Sequence, residues 1–210
     1  METRVLTTAD LSARERYQLL VSLVVPRPIA WVSTFSAAGA ANLAPFSYYM
    51  AVSPTPLLIA VSIGHRQGAP KDSLRNVRET RAFCVNVVTE QHLEAMNASS
   101  GEYGPEIDEF AHAGLAMATA ESVHAPYVAD APAVLECHLY RDVDLGDAAN
   151  GLIIGEVRRV RVQADLLKLE GRLTVDSEAL KPVARLAGED YSKLGEIVRL
   201  ARPENINRPK

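Results

Sequence analysis

The stretch "PRPIAWVSTFSAAGAANLAPFSYY", residues 26 to 49, decides how the chain is to be folded. Two apolar runs, IAWVSTF and LAPFSYYMAV, flank the small-residue turn SAAGAA, the pattern of two strands joined by a tight connection. Pro26 and Pro28 force extended backbone ahead of the first run. Pro45 removes an N–H from the second run and so places it at a sheet edge, a bulge or a cavity wall. A plain hairpin has no need of the hydroxyls of Ser33, Thr34 and Ser47, or of the small residues between Asn42 and Phe46, Ala44 and Pro45 among them. They suit an apolar slot in which a few backbone donors and acceptors meet a planar ring. They equally suit a hairpin core with incidental serines.

Working outward, "LSARERYQLLVSLV" carries Ser12 and Glu15 in capping-box spacing, which predicts a helix ending near Val21. On the other side, "PLLIAVSIG", with Ser62, Ile63 and Gly64, is apolar enough for a strand buried on both faces. "KDSLRNVRET" reads as a helix capped by Asp72 or Ser73, "AFCVNVVT" as a strand and "EQHLEAMNAS" as a short helix. A loop-rich middle holds one helical turn near Asp108 to Ala113. Two long strands, "PAVLECHLYRDVDLG" and "GLIIGEVRRVRV", then meet through "DAAN". The last forty-odd residues predict a short strand or turn at "EGRLTVD", a helix near "SEALKPVARL" and a tail. Many short strands between turn signals favour a β-barrel with helical decorations over a doubly wound parallel sheet, which needs helices alternating regularly with strands.

Composition narrows the function. With 48% apolar and 23% charged residues the chain is ordinary for a soluble globular protein, and its net charge of −4 argues against a duplex-coating nucleic-acid binder. The opening residues lack an apolar core of signal-peptide type, and the longest apolar runs fall far short of the roughly 20 residues that cross a bilayer. Cys84 and Cys137 sit in strand-like runs and read as buried free thiols, so a cytoplasmic location is expected. Five histidines are scattered without ligand spacing. Asp108 and His112 share a helical face but have no third partner, so no metal site is expected. Neither G-x-G-x-x-G, nor G-x-x-x-x-G-K-[ST], nor G-x-S-x-G occurs.

One further stretch suggests chemistry. A phosphate wants cations, hydroxyls and free backbone N–H groups, and a helix start supplies the last of these. "PKDSLRN" gathers Lys71, Ser73, Arg75 and Asn76 around one such start. On these residues alone, an ordinary capped helix with solvated charges accounts for the same string.

Taken in order, these pieces resemble the flavin reductase-like, FMN-binding split-barrel family over roughly residues 14 to 203. The landmarks are YQLL from Tyr17, PRPIAWVST from Pro26, NLAPFS from Asn42, KDSLRN from Lys71, FCVN from Phe83, DEFAHAGL from Asp108 and LEC ending at Cys137. GEV from Gly155, RLAG from Arg185, Tyr191 and a closing Arg202-Pro203 complete the set. The resemblance implies a mainly β, antiparallel, Greek-key-like split barrel over 1–210. Its barrel core covers about 14–165 and a C-terminal extension 166–210, and the chain pairs as a homodimer with the flavin near the subunit interface. It implies FMN, with FAD as the alternative, and NADH or NADPH as reductant delivering hydride to flavin N5. Electrons then pass to a monooxygenase or another redox acceptor. A flavoredoxin-type electron carrier reduced by a protein partner is the alternative function. Lys71, Ser73 and Arg27 are expected at the phosphate with Asn76 beside them. Ser33, Thr34, the backbone of Asn42 to Ser47, and Ser62-Ile63-Gly64 are expected along the ring, with Phe110 at the border. No side chain is required as a general acid or base, because the flavin carries the redox chemistry. One departure bears on nicotinamide use: family members often carry Gly-Asp-His before the G-x-V strand, and here the stretch is Gly146-Asp147-Ala148-Ala149-Asn150.

Overall fold

The computed structural model describes residues 2–104, 107–169, 171–201 and 203. In chain order, α1 (Ala13–Leu23) leads into β1 (Arg27–Pro28), β2 (Ala30–Phe35), β3 (Ala41–Phe46), β4 (Tyr49–Pro54), β5 (Leu57–Arg66) and β6 (Ala69–Pro70). Helix α2 (Asp72–Thr80), β7 (Ala82–Val87), α3 (Leu93–Ala98) and α4 (Glu109–His112) precede a small hairpin of β8 (Met117–Thr119) and β9 (Pro126–Val128). The long strands β10 (Ala133–Val143) and β11 (Asn150–Val162) follow. The remainder comprises β12 (Leu167–Lys168), β13 (Thr174–Val175), α5 (Ser177–Leu180), β14 (Val183–Arg185) and β15 (Tyr191–Lys193).

The main sheet is antiparallel and runs β3-β2-β7-β10-β11-β5-β4, with β6 pairing to β5. Its two end strands, β3 and β4, are consecutive in the chain and only Ser47 and Tyr48 separate them. A flat sheet in that order would hold its edges about 29 Å apart, six spacings of about 4.8 Å. Two residues reach only about 7 Å. The sheet therefore rolls until its edges meet at this corner, where Ser62 N–H of β5 donates to Tyr48 O at 2.8 Å and extends the β4–β5 pairing into it. The result is the split β-barrel that the sequence implies.

Period-two alternation sorts the strand residues between two cores. Ala30, Val32, Val61, Ile63, Phe83, Val85, Leu139 and Ile153 form the barrel core, against which α2 packs Leu74 and Val77. The opposite face of β2 and β3 sends Trp31 and Leu43 into a second core with Met96, Phe110, Val128 and Val183. Because β2 is buried on both faces, its sequence does not alternate: Ala30, Trp31, Val32 and Phe35 are apolar, and Ser33 and Thr34 are buried with hydrogen-bond partners. Outside the barrel a three-stranded sheet, β1-β14-β15, ties the entry of the hairpin to the C-terminal segment.

Three local expectations are corrected. "LAPFSYYMAV" is two strands, not one, broken at the closing corner. Helix α2 has Lys71 as N-cap, with extended backbone and no side-chain cap, in place of Asp72 or Ser73. Helix α5 ends at Leu180, and the residues beyond it enter β14, where they pair with β1. The α1 capping box between Ser12 and Glu15 is present in full. Glu170 and Arg202, which the sequence placed in a strand or turn and in the closing landmark, lie outside the described residues.

Candidate functional site

Helix α2 is fastened by its first turn to the β2–β3 hairpin. Thr34 and Asn42 are cross-strand partners, and each meets one helix residue: Asn42 Nδ2 donates to Ser73 Oγ at 2.9 Å, and Asn76 Nδ2 donates to Thr34 Oγ1 at 3.0 Å. All four side chains are buried. The three-residue spacing from Ser73 to Asn76 puts both on the face turned to the hairpin. No side chain caps α2, so its first N–H groups have no side-chain partner, and Lys71 is exposed beside them.

Two adjoining hollows open there. The larger, about 380 Å³, is lined by Arg27, Pro45, Phe46, Ser47, Tyr48 and Lys71, with Tyr17 and Val21 of α1, Met96, Ser100, and Arg185, Leu186, Gly188 and Tyr191 from the C-terminal segment. The smaller, about 70 Å³, is lined by Asn42, Ala44, Lys71, Asp72, Ser73, Arg66 and Glu109, and shares Pro45, Phe46, Lys71 and Ser100 with the first. The prolyl-serine hairpin and the lysine-led helix tip thus converge on one site. Pro45, an edge residue without an N–H, is a cavity wall in both hollows.

The charges divide unevenly. The larger groove holds three cations, Arg27, Lys71 and Arg185, and no carboxylate. The smaller one adds Asp72, Glu102 and Glu109. Asp72 is engaged by Arg75. Burial pushes the Glu109 carboxyl up, aided by the Asp72 and Asp108 charges and opposed by the Leu43 N–H, which donates to it at 3.2 Å.

Arg27 is only 5% exposed and its guanidinium is largely spoken for. It donates to Val21 O at 2.6 Å and Val24 O at 2.7 Å, closing the C-terminal end of α1. It also donates to Leu186 O at 2.7 Å and Ser47 Oγ at 3.3 Å, so it clasps three walls of the groove together.

Other expected residues lie apart from the groove. Ser33 is fully buried, donating to Pro126 O at 2.6 Å and accepting from Asn86 Nδ2 at 3.0 Å. Thr34 and Asn76 serve the helix attachment. Ser62 accepts from Asn150 Nδ2 at 2.9 Å, Ile63 points into the barrel core, and Gly64 pairs with Asn150 in the sheet. Phe110 belongs to the second core, and it is its neighbour Glu109 that borders the site. Sequence inspection missed Tyr48, Arg66, Met96, Ser100 and Glu109 as lining residues. It noted Tyr17, Arg185 and Tyr191 only as landmarks, although Arg185 precedes the Gly188 turn that brings Tyr191 back beside it. Among the described residues no three His, Cys, Asp or Glu are grouped as a metal site, and no helix is long and apolar enough to cross a membrane.

The donor set fits a flavin mononucleotide: an uncapped helix start with Lys71 and Ser73 for a phosphate, and a groove walled by Ala44 to Tyr48 for a ring. Comparisons point to the flavin class. The family model described as a flavin reductase like domain matches residues 22–175. A relative from Halalkalibacterium halodurans, described as an uncharacterized protein, is 43% identical over 92% of this chain and 94% of that one. Among solved structures, nitrilotriacetate monooxygenase component B from Bacillus cereus superposes with a TM-score of 0.91 at 34% identity, covering 95% of this chain and 100% of that one. The Pseudomonas fluorescens 2-nitrobenzoate 2-nitroreductase NbaA superposes with a TM-score of 0.87 at 28% identity, covering 98% and 99%.

Proposed function

The chain belongs to the flavin reductase-like family, and from that premise we propose that it is an FMN-binding oxidoreductase, an NADH- or NADPH-dependent flavin reductase serving a downstream acceptor. The observation that carries this proposal is the convergence of Ala44 to Ser47 with Lys71 and Ser73 on one pair of adjoining hollows. Lys71, Ser73 and the uncapped α2 N–H groups would hold the phosphate, since charge-assisted hydrogen bonds at a helix start favour an anion. Pro45, Phe46 and the neighbouring backbone would wall the ring and exclude water from it. Bound FMN supplies the two-electron redox chemistry, so the protein's part is binding and orientation. FMN is preferred over FAD here because Lys71 and Ser73 meet in the smaller hollow, which suits a terminal phosphate. The acceptor is proposed to be a partner oxygenase, by analogy with the Bacillus cereus component. A homodimer is proposed because α1 buries only Val21 and leaves Tyr17, Leu20 and Leu23 in need of a cover. The absence of histidine between Gly146 and Asn150 favours, as second reading, a flavoredoxin-type carrier reduced by a protein.

Titration with FMN and with riboflavin tests the assignment. Lys71→Ala with Ser73→Ala is expected to weaken FMN by about 3 kcal/mol, roughly a hundredfold, through the loss of a charged and a neutral phosphate contact. Riboflavin, which lacks the phosphate, should bind the variant and the parent alike. Equal FMN affinity in both proteins would refute the phosphate site. Anaerobic mixing with NADH and NADPH separates the two readings: a flavin bleached by either is the reductase, and one left oxidised by both is the carrier.

A further inference from the structure

Arg185 has the surroundings of an anion receptor. It stands directly opposite Arg27 in the β1–β14 register, and both side chains line the larger groove. Like charges facing each other across a strand pair destabilise the pairing unless something neutralises them. None of the ion pairs among the described residues includes Arg185, Arg27 or Lys71, although the chain carries a net charge of −4. Arg27 already serves four acceptors. Arg185 is held by neutral groups only: it donates to Tyr191 Oη and Gly188 O, and its guanidinium lies 4.6 Å over the Tyr191 ring. Tyr191 in turn donates to Asn97 Oδ1 at 2.9 Å, which pins the ring in place. Two partners leave three of the five guanidinium N–H groups unspent. A rigid, stacked arginine with free donors and no carboxylate is pre-organised for an anion.

The flavin phosphate is not the best candidate for that anion. Lys71 borders both hollows and Ser73 the smaller one, whereas Arg185 borders only the larger. Arg185 also lies beyond residue 175, outside the segment the family model matches. We propose that Arg185, seated on Tyr191, anchors the anionic group of the flavin's second ligand, a planar organic anion. The proposal rests on the flavin reading given above. Planarity is part of the proposal, since a flat group stacked on the flavin ring would bring its reacting atom within transfer distance. An aromatic carboxylate and the phosphates of a nicotinamide dinucleotide share this chemistry.

Calorimetric titration of the FMN-loaded and of the flavin-free protein with benzoate, benzamide and NADH tests it. Benzoate or NADH should bind the loaded protein, with benzamide at least tenfold weaker than benzoate if the carboxylate is the group recognised. Arg185→Met should lower affinity for the bound anion at least tenfold, and by at least fivefold more than it lowers affinity for FMN. Arg185→Lys, which keeps the charge and loses the planar fork, should recover part of the loss and shows that the fold survives. An effect confined to benzoate identifies a carboxylate ligand; one confined to NADH identifies the dinucleotide. Arg185→Met binding both anions as the parent does overturns the proposal, as does a loaded protein that binds neither. A loss in Arg185→Met that is greater for FMN than for riboflavin also overturns it, by assigning Arg185 to the flavin phosphate. Failure of FMN itself to bind would instead sink the flavin reading, and the flavin-free titration would then decide the anchor alone.

Discussion

Glu109 is a carboxylate that shares the smaller hollow with Lys71 and Ser73, and burial raises its carboxyl above the ordinary range. Below that raised value it is neutral and leaves the phosphate unopposed. Above it a second negative charge shares the smaller hollow. Binding should therefore take up a proton, and FMN affinity should fall as pH rises through the raised carboxyl range. The same sign holds for folding, since a raised carboxyl contributes stability that is lost as pH rises through its folded value. Glu109→Gln is expected to flatten this part of the profile and to strengthen FMN by about tenfold at alkaline pH, the equivalent of about 1.4 kcal/mol. Fluorescence titration of both proteins from mildly acid to mildly alkaline pH checks this, and parallel profiles would refute it. The residues legible in advance were those whose roles are local: Pro45 at an edge, Lys71 at a helix start. Ser33, Thr34 and Arg27 were not, because a hydroxyl or guanidinium in a sequence does not disclose its acceptor. Leu186 O, which Arg27 reaches, lies 159 positions along the chain.

At the scale of elements, the apolar strands and the capped helix α1 were readable because period and capping are properties of a few adjacent residues. Pairing partners are not, so the break at Ser47-Tyr48 and the short strands of the C-terminal sheet escaped. Both depend on contacts made across the molecule. Gly155 in β11 shows how one position serves an element. A Cβ there would come within 2.9 Å of Phe83 Cε1 and closer still to Phe83 Cζ, and that ring is fully buried. Gly155→Ala is thus expected to destabilise the protein by about 2 kcal/mol through overpacking. The denaturant midpoint should fall while the slope stays constant. Combining it with Phe83→Leu, which makes room, should recover part of the loss in excess of additivity. A strictly additive pair would show that the ring is not the obstacle.

At the scale of the whole molecule, α1 is the element least explained by its own chain. An 11-residue helix that buries one side chain has little to hold it in water, yet its C-terminal end is clasped by Arg27 beside the groove. A second copy laid over Leu20 and Leu23 would supply the missing burial. Sedimentation is expected to give twice the chain mass for the parent and the single mass for Leu20→Asp with Leu23→Asp. A monomeric parent would remove the proposed dimer while leaving the barrel and its hollows intact.

The corner at Ser47 and Tyr48 has a consequence for any attempt to reopen the chain. Cutting the backbone there would release both free margins of the rolled sheet together, one bearing half of the ligand's wall and each ready to zip onto a stranger. New termini are better made at the exposed turn around Gly146, which separates two strands that pair with each other and lines neither hollow.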